Sequence, residues 1–310
     1  MTNANDSPSP FPALTAGERL FLEVNGYVVV ENTLTQDEVE RLREALYELR
    51  QKFLAADDPM SHKVNGCHLS DQNPHQQSFA HLLEADPAFF DYLTHPRMVG
   101  FAEELVGGEV RIDESAAILN RRKPDADPDQ PYQYDFHRGA QPGFDSYYYG
   151  DLYHCTFVKT LTNLTDLGPD DGGTTVIAGS HKLNCCENDM VAAAYANPSL
   201  IHQVEAPAGS TMLMCETLIH ATGHHRSDGE RLVIIGGYSH PKQQAVYGEE
   251  PSLEFVEQVP EHLRDLVAGR PFWTWSERHR NLSMPAGQKD IPYKARMWSV
   301  SNQSGANNAP

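Results

Sequence analysis

No apolar run in this sequence approaches the roughly 18 residues that a membrane-crossing helix needs, so no transmembrane role is expected. Basic charge is scarce as well. Lys and Arg total 24 against 43 Asp and Glu, a formal net charge of −19. Such a surface repels phosphate backbones and anionic headgroups, which argues against nucleic acid and membrane surfaces as partners. Cysteine shows no pairing pattern. Cys67, Cys155, Cys185, Cys186 and Cys215 are odd in number and form no CxxC pair, which speaks against a disulfide framework and for a reducing compartment. The first residues lack both a basic start and an apolar stretch, so no signal peptide is expected and the default location is cytoplasmic.

What is present is an ordinary globular composition with an excess of one metal-ligating residue type, 15 histidines among 310 residues. The length fits one large domain. Residues 1–14 read as a loose leader, 15–300 as a single domain, and 301–310 as a polar, disordered tail.

Helical signals come first along the chain. Thr15 and Glu18 form a capping-box pattern ahead of Leu20, Phe21 and Val24, and Gly26 stops that helix. Thr35 and Glu38 repeat the pattern before an apolar stripe of Val39, Leu42, Leu46, Leu49 and Phe53. Pro87 and Pro96 each stand where a helix can start. Residues 55–80 are polar and read as a loop over a pocket or a surface excursion. From Val110 to Tyr238 short β-rich runs follow, at 116–119, 153–161, 174–177, 211–215 and 232–235. A further helical pattern spans 251–268, and 270–300 reads as irregular packing. Helices before strands predict an α+β domain, mainly β in its core, built as a sandwich or barrel under an amino-terminal helical layer.

Two histidine segments lie in the strand-rich part. His137 sits in Tyr134-Asp135-Phe136-His137-Arg138-Gly139, and His220 follows a strand with Arg231 11 residues later. Two imidazoles and a carboxylate on one face of an iron ion leave positions for oxygen and an organic co-substrate. An arginine on the next strand suits a bidentate grip on a carboxylate.

Three stretches resemble the phytanoyl-CoA dioxygenase family of iron(II)/2-oxoglutarate oxygenases. They are Asn25 to Thr35 with the helix after it, Leu164 to Gly173 through Ala178-Gly179-Ser180-His181-Lys182, and Gly209 to Arg231. The resemblance implies a double-stranded β-helix, or jelly roll, and the cofactors Fe(II) and 2-oxoglutarate. It makes His137 and His220 the metal histidines and Arg231 the residue holding the distal carboxylate of 2-oxoglutarate. It implies hydroxylation of a small-molecule substrate, while the substrate's identity and the oligomeric state stay unread. Gly172, Gly173, Gly179, Ser180 and His181 read as structural.

One position departs from the family pattern. The first motif is His-x-Asp, and Gly139 stands where the carboxylate is expected. Three readings follow. In a halogenase, chloride takes the vacancy on the iron. Alternatively another side chain compensates, with Asp135, His154 and Glu216 as candidates; Glu216 shares strand parity with His220. Thirdly, the chain is a non-catalytic binding module on the same fold. Lys159, a charge inside a strand, either reaches the 2-oxoglutarate carboxylate or points to solvent.

Overall fold

Reciprocal capping bonds fix the amino-terminal layer. Thr15 Oγ1 accepts the Glu18 N–H while Glu18 reaches back to the Thr15 N–H, which starts α1 (Ala16–Asn25); Thr35 and Glu38 do the same for α2 (Gln36–Leu54). Both lie in a computed structural model, which describes residues 13–73, 75–123, 132–241, 243 and 250–269. The expectations for 1–12 and 270–310 lie outside those residues. Ala13 and Leu14 belong to the domain and not to a loose leader. Their N–H groups donate to Glu104, and Leu14 is buried.

The α2 stripe is buried along Val39, Leu42, Leu46, Leu49 and Phe53, each contributing roughly 1.5–3 kcal/mol of transfer free energy. α3 (Pro87–Leu93) and α4 (Pro96–Val106) begin at the two prolines, and Gly107 ends the second. The strands are β1 (Tyr27–Val30), β2 (Lys63–Val64), β3 (Cys67–Asn73), β4 (Gln76–Ala80), β5 (Arg111–Arg121), β6 (Ser146–Tyr149), β7 (Leu152–Cys155), β8 (Phe157–Asn163), β9 (Thr175–Ile177), β10 (Ile201–Gln203), β11 (Thr211–Cys215), β12 (His220–Ala221) and β13 (Glu230–Ser239). Helix α5 (Glu187–Ala196) lies between β9 and β10, and α6 (Leu253–Gln258) and α7 (Arg264–Ala268) follow β13.

An eight-stranded antiparallel sheet runs β1-β11-β8-β13-β5-β4-β3-β2, and a three-stranded sheet runs β10-β9-β12. Helices α1 to α4 cover the outer face of the large sheet through one apolar cluster that includes Leu46, Phe89, Leu105 and Ile234. Its inner face packs toward the small sheet through a second cluster that includes Leu161, Val176, Met212, Met214, Val233 and Ile235. This is the jelly roll expected. The polar stretch 55–80 differs from expectation. Most of it forms the β2–β3–β4 edge, whose inward residues face a cavity and so need not be apolar.

The junction of α1 and β1 is close-packed. Gly26 has φ 84°, and a Cβ there would lie 2.6 Å from Nδ1 of the buried His181. A Gly26→Ala chain meets the left-handed penalty of about 1–2 kcal/mol and an overpacking cost of about 1–3 kcal/mol. A loss of about 2–5 kcal/mol is therefore expected, read as a lower urea midpoint at unchanged slope. A loss under about 1 kcal/mol would mean that His181 yields freely.

Candidate functional site

The two histidines meet through their backbones. His137 N–H donates to the His220 carbonyl and His220 N–H to the His137 carbonyl, each at 2.9 Å. A tight turn delivers His220: Leu218 N–H donates to Cys215 O, and Ser180 Oγ accepts the Ile219 N–H. That bond gives the Ala178-to-Lys182 run its structural purpose. The ring centroids stand 4.4 Å apart.

Each ring is tethered in the same way. His137 Nδ1 lies 2.9 Å from the Asp135 carbonyl, and His220 Nδ1 lies 2.9 Å from the Leu218 carbonyl. A carbonyl can only accept, so Nδ1 carries a proton in both rings, which makes Nε2 the acceptor nitrogen of the neutral ring. That tautomer is the one that ligates metals. Burial, partly opposed by the Glu216 carboxylate, holds the His220 pKa down to about 4, so the ring is neutral at physiological pH.

His137, His220 and Arg231 line one cavity of about 450 Å³. Arg231 on β13 faces Asn120 on β5. Its Nη1 donates to Asn120 Oδ1 at 3.2 Å and its Nη2 to Thr174 Oγ1 at 3.1 Å, while among the described residues Nε has no hydrogen-bond partner. Among the described residues no carboxylate lies within ion-pair distance of it. Burial lowers its pKa to about 10, which still leaves it cationic. A buried cation held only by neutral acceptors is costly, and an anion in the cavity would offset that cost.

Lys159 also reaches into the cavity, and so does not point to solvent, but its charge is already engaged. It stands 2.9 Å from Glu114 Oε2 and 3.5 Å from Glu216 Oε1. On the sheet it pairs with Gly237, six residues along β13 from Arg231, about 20 Å of strand. Both side chains line the same cavity, Arg231 toward one end of β13 and Lys159, held by Glu114, toward the other.

Glu216 is buried beside Gly139. A Cβ built on Gly139 would lie 1.8 Å from Glu216 Oε2, and the N–H groups of Gly139 and Ala140 both donate to the Glu216 carbonyl. Among the described residues Glu216 Oε1 accepts no hydrogen bond, and it stands 3.9 Å from His220 Nε2. Among the described residues no three His, Cys, Asp or Glu side chains already converge as a metal cluster.

The other candidates lie elsewhere. His154 packs against the end of α4, with Nδ1 3.2 Å from the Leu105 carbonyl and its ring stacked on Tyr147. The expected strand 153–161 breaks at Thr156 into β7 and β8, which belong to different sheets, so His154 is placed by β7 and not by the strand that carries Lys159. Asp135 contributes its carbonyl, and its side chain is exposed. His224 stacks on Tyr132, and His225 pairs with Asp171 in a loop, away from the cavity.

Residues that sequence reading missed are Glu114, Asn120, Thr174 and the inward positions His68, Ser70 and Ser78 of the β3–β4 edge. Glu114 and Asn120 carried a signal, since they alternate with Ala116 and Ile118 along one strand. The others had none until the sheet order was known.

A jelly roll with paired, tethered imidazoles beside a carboxylate-seeking arginine defines a non-haem metal oxygenase scaffold. The profile described as "Phytanoyl-CoA dioxygenase (PhyH)" matches residues 22–233. The chain belongs to that family, within the iron/2-oxoglutarate-dependent oxygenases. A probable phytanoyl-CoA dioxygenase of Caenorhabditis elegans is 23% identical over 242 residues, covering 73% of this chain and 75% of its own. The fold matches HygX from Streptomyces hygroscopicus, solved with nickel and 2-oxoglutarate, at TM-score 0.58 and 20% identity, over 73% of this chain and 87% of that one. It also matches EctD from S. alaskensis, solved with 2-oxoglutarate and 5-hydroxyectoine, at TM-score 0.58 and 18% identity, over 84% and 85%. Among the described residues no helix is long and apolar enough to cross a membrane.

Proposed function

We propose that this chain is an iron(II)- and 2-oxoglutarate-dependent dioxygenase that hydroxylates a small molecule. The observation that carries the reading is Arg231, a buried guanidinium without an anionic partner among the described residues, in the same cavity as two imidazoles tethered through Nδ1. The donor set fits a divalent ion of this class. Bound iron would supply oxygen activation coupled to oxidative decarboxylation of the keto acid.

The protein's own part follows from the side chains. His137 and His220 hold the ion, their rings fixed by the Asp135 and Leu218 carbonyls. Arg231 takes the distal carboxylate of 2-oxoglutarate, with Asn120 and Thr174 fixing the plane of the guanidinium. Leu161, Val233 and Ile235 form a dry wall that strengthens this charge pairing. His68, Ser70 and Ser78 offer a polar wall to the substrate. HygX, a fold neighbour, has been solved with hygromycin B bound, in keeping with a small polar molecule as substrate.

The halogenase alternative needs the metal to lack a protein carboxylate, and the Glu216 carboxylate standing where a side chain at 139 would begin speaks for hydroxylation instead. A non-catalytic binding module gives no reason for two tethered imidazoles beside Arg231. Anaerobic titration with iron(II) and 2-oxoglutarate tests the reading. A metal-to-ligand absorption band is expected only when both are present. Its absence at saturating iron overturns the proposal, and a chloride-dependent shift of the band would restore the halogenase.

A further inference from the structure

We infer that Glu216 supplies the metal-binding carboxylate that position 139 lacks, entering the site through the space a side chain at 139 would occupy. This rests on the reading above and deepens it.

The steric relation is mutually exclusive. With a Cβ on residue 139 at 1.8 Å from Glu216 Oε2 and 3.0 Å from Cδ, an aspartate at 139 and the present Glu216 carboxylate compete for one volume. The two backbones are locked together there, since Gly139 and Ala140 donate to the Glu216 carbonyl at 3.0 and 3.1 Å. Glycine at 139 is thus what Glu216 requires.

The carboxylate itself calls for a cation. Glu216 is 1% exposed, and among the described residues its Oε1 accepts no hydrogen bond and has Lys159 Nζ at 3.5 Å as its cation. Burying such an oxygen is costly unless a charge answers it. The nearest cation, Lys159, is shared, and Glu114 holds it more closely, at 2.9 Å against 3.5 Å. A divalent ion on His137 and His220 would answer Glu216 and relieve its repulsion with Glu114. At 3.9 Å from His220 Nε2 the Glu216 carboxylate stands beside a ring that would hold the ion, while Glu114 keeps Lys159.

The test uses the full chain, kept anaerobic. Iron(II) affinity is read by chelator competition and coordination by the electronic spectrum of the cobalt(II) form. Loss of outer-shell partners alone weakens metal binding by about 10–100-fold, so removal of a direct ligand in Glu216→Gln or Glu216→Ala should raise the iron Kd by at least about a hundredfold. The double variant Gly139→Asp with Glu216→Ala should return to within about tenfold of the parent, and added formate should restore binding to Glu216→Ala. Should Glu216→Ala fail to fold, Glu216→Gln, close in shape, and the double variant still decide. Parental iron affinity and cobalt spectrum in Glu216→Gln, in a protein whose parent shows the 2-oxoglutarate band, overturn this inference and leave the oxygenase reading standing. A parent that binds no iron removes both.

Discussion

Replacing Arg231 by methionine is expected to weaken 2-oxoglutarate binding by about 2–5 kcal/mol, roughly 30- to 4,000-fold, while iron(II) binding stays unchanged. The side chain is buried, donates to two neutral oxygens and meets no carboxylate among the described residues, so its charge is available to a ligand. Methionine fills similar volume without the charge. The protein without cofactors should therefore become more stable, because an uncompensated buried cation has been removed. Anaerobic calorimetry with 2-oxoglutarate in the presence of iron(II) measures the first effect, and thermal melting without ligands the second. Unchanged 2-oxoglutarate affinity would show that Arg231 is a structural cation and would remove the main support for the co-substrate.

His220→Ala and His137→Ala are each expected to raise the iron(II) Kd by more than about a hundredfold, since loss of outer-shell partners alone costs up to that much. The two should differ in stability. His220 is buried and bonded to Leu218, so its loss leaves a gap in the wall of the cavity; His137 is exposed, and its removal should leave the melting temperature nearly unchanged. Two controls sharpen the result. Asp135→Ala should bind iron as the parent does, because only its carbonyl tethers His137. His154→Ala should do the same, because that ring packs on α4 and Tyr147. Metal content after anaerobic loading and desalting reads all four chains. Iron retained by His220→Ala would break the assignment of the site.

Part of the fold is legible in the residue pattern. The capping boxes at Thr15 and Thr35, the α2 stripe and the proline starts at 87 and 96 all appear as read, because each depends on residues within a turn or two of one another. His137, His220 and Arg231 are singled out only through family resemblance, since nothing local distinguishes His137 from the other 14 histidines. The polar stretch that became β3 and β4 misled because it faces a cavity, where alternation of apolar and polar residues fails as a signal.

The helical layer, the strand-rich middle and the missing side chain at position 139, where a carboxylate is expected, can be read from the residue order alone. Folding is needed to bring Glu216, 77 residues further on, into that volume, to set Lys159 against Glu114 and to turn His154 toward α4. The physical reason is that local signals depend on backbone conformation over a few residues, whereas which side chains share a cavity depends on strand order and register. Those are fixed by packing across the whole barrel.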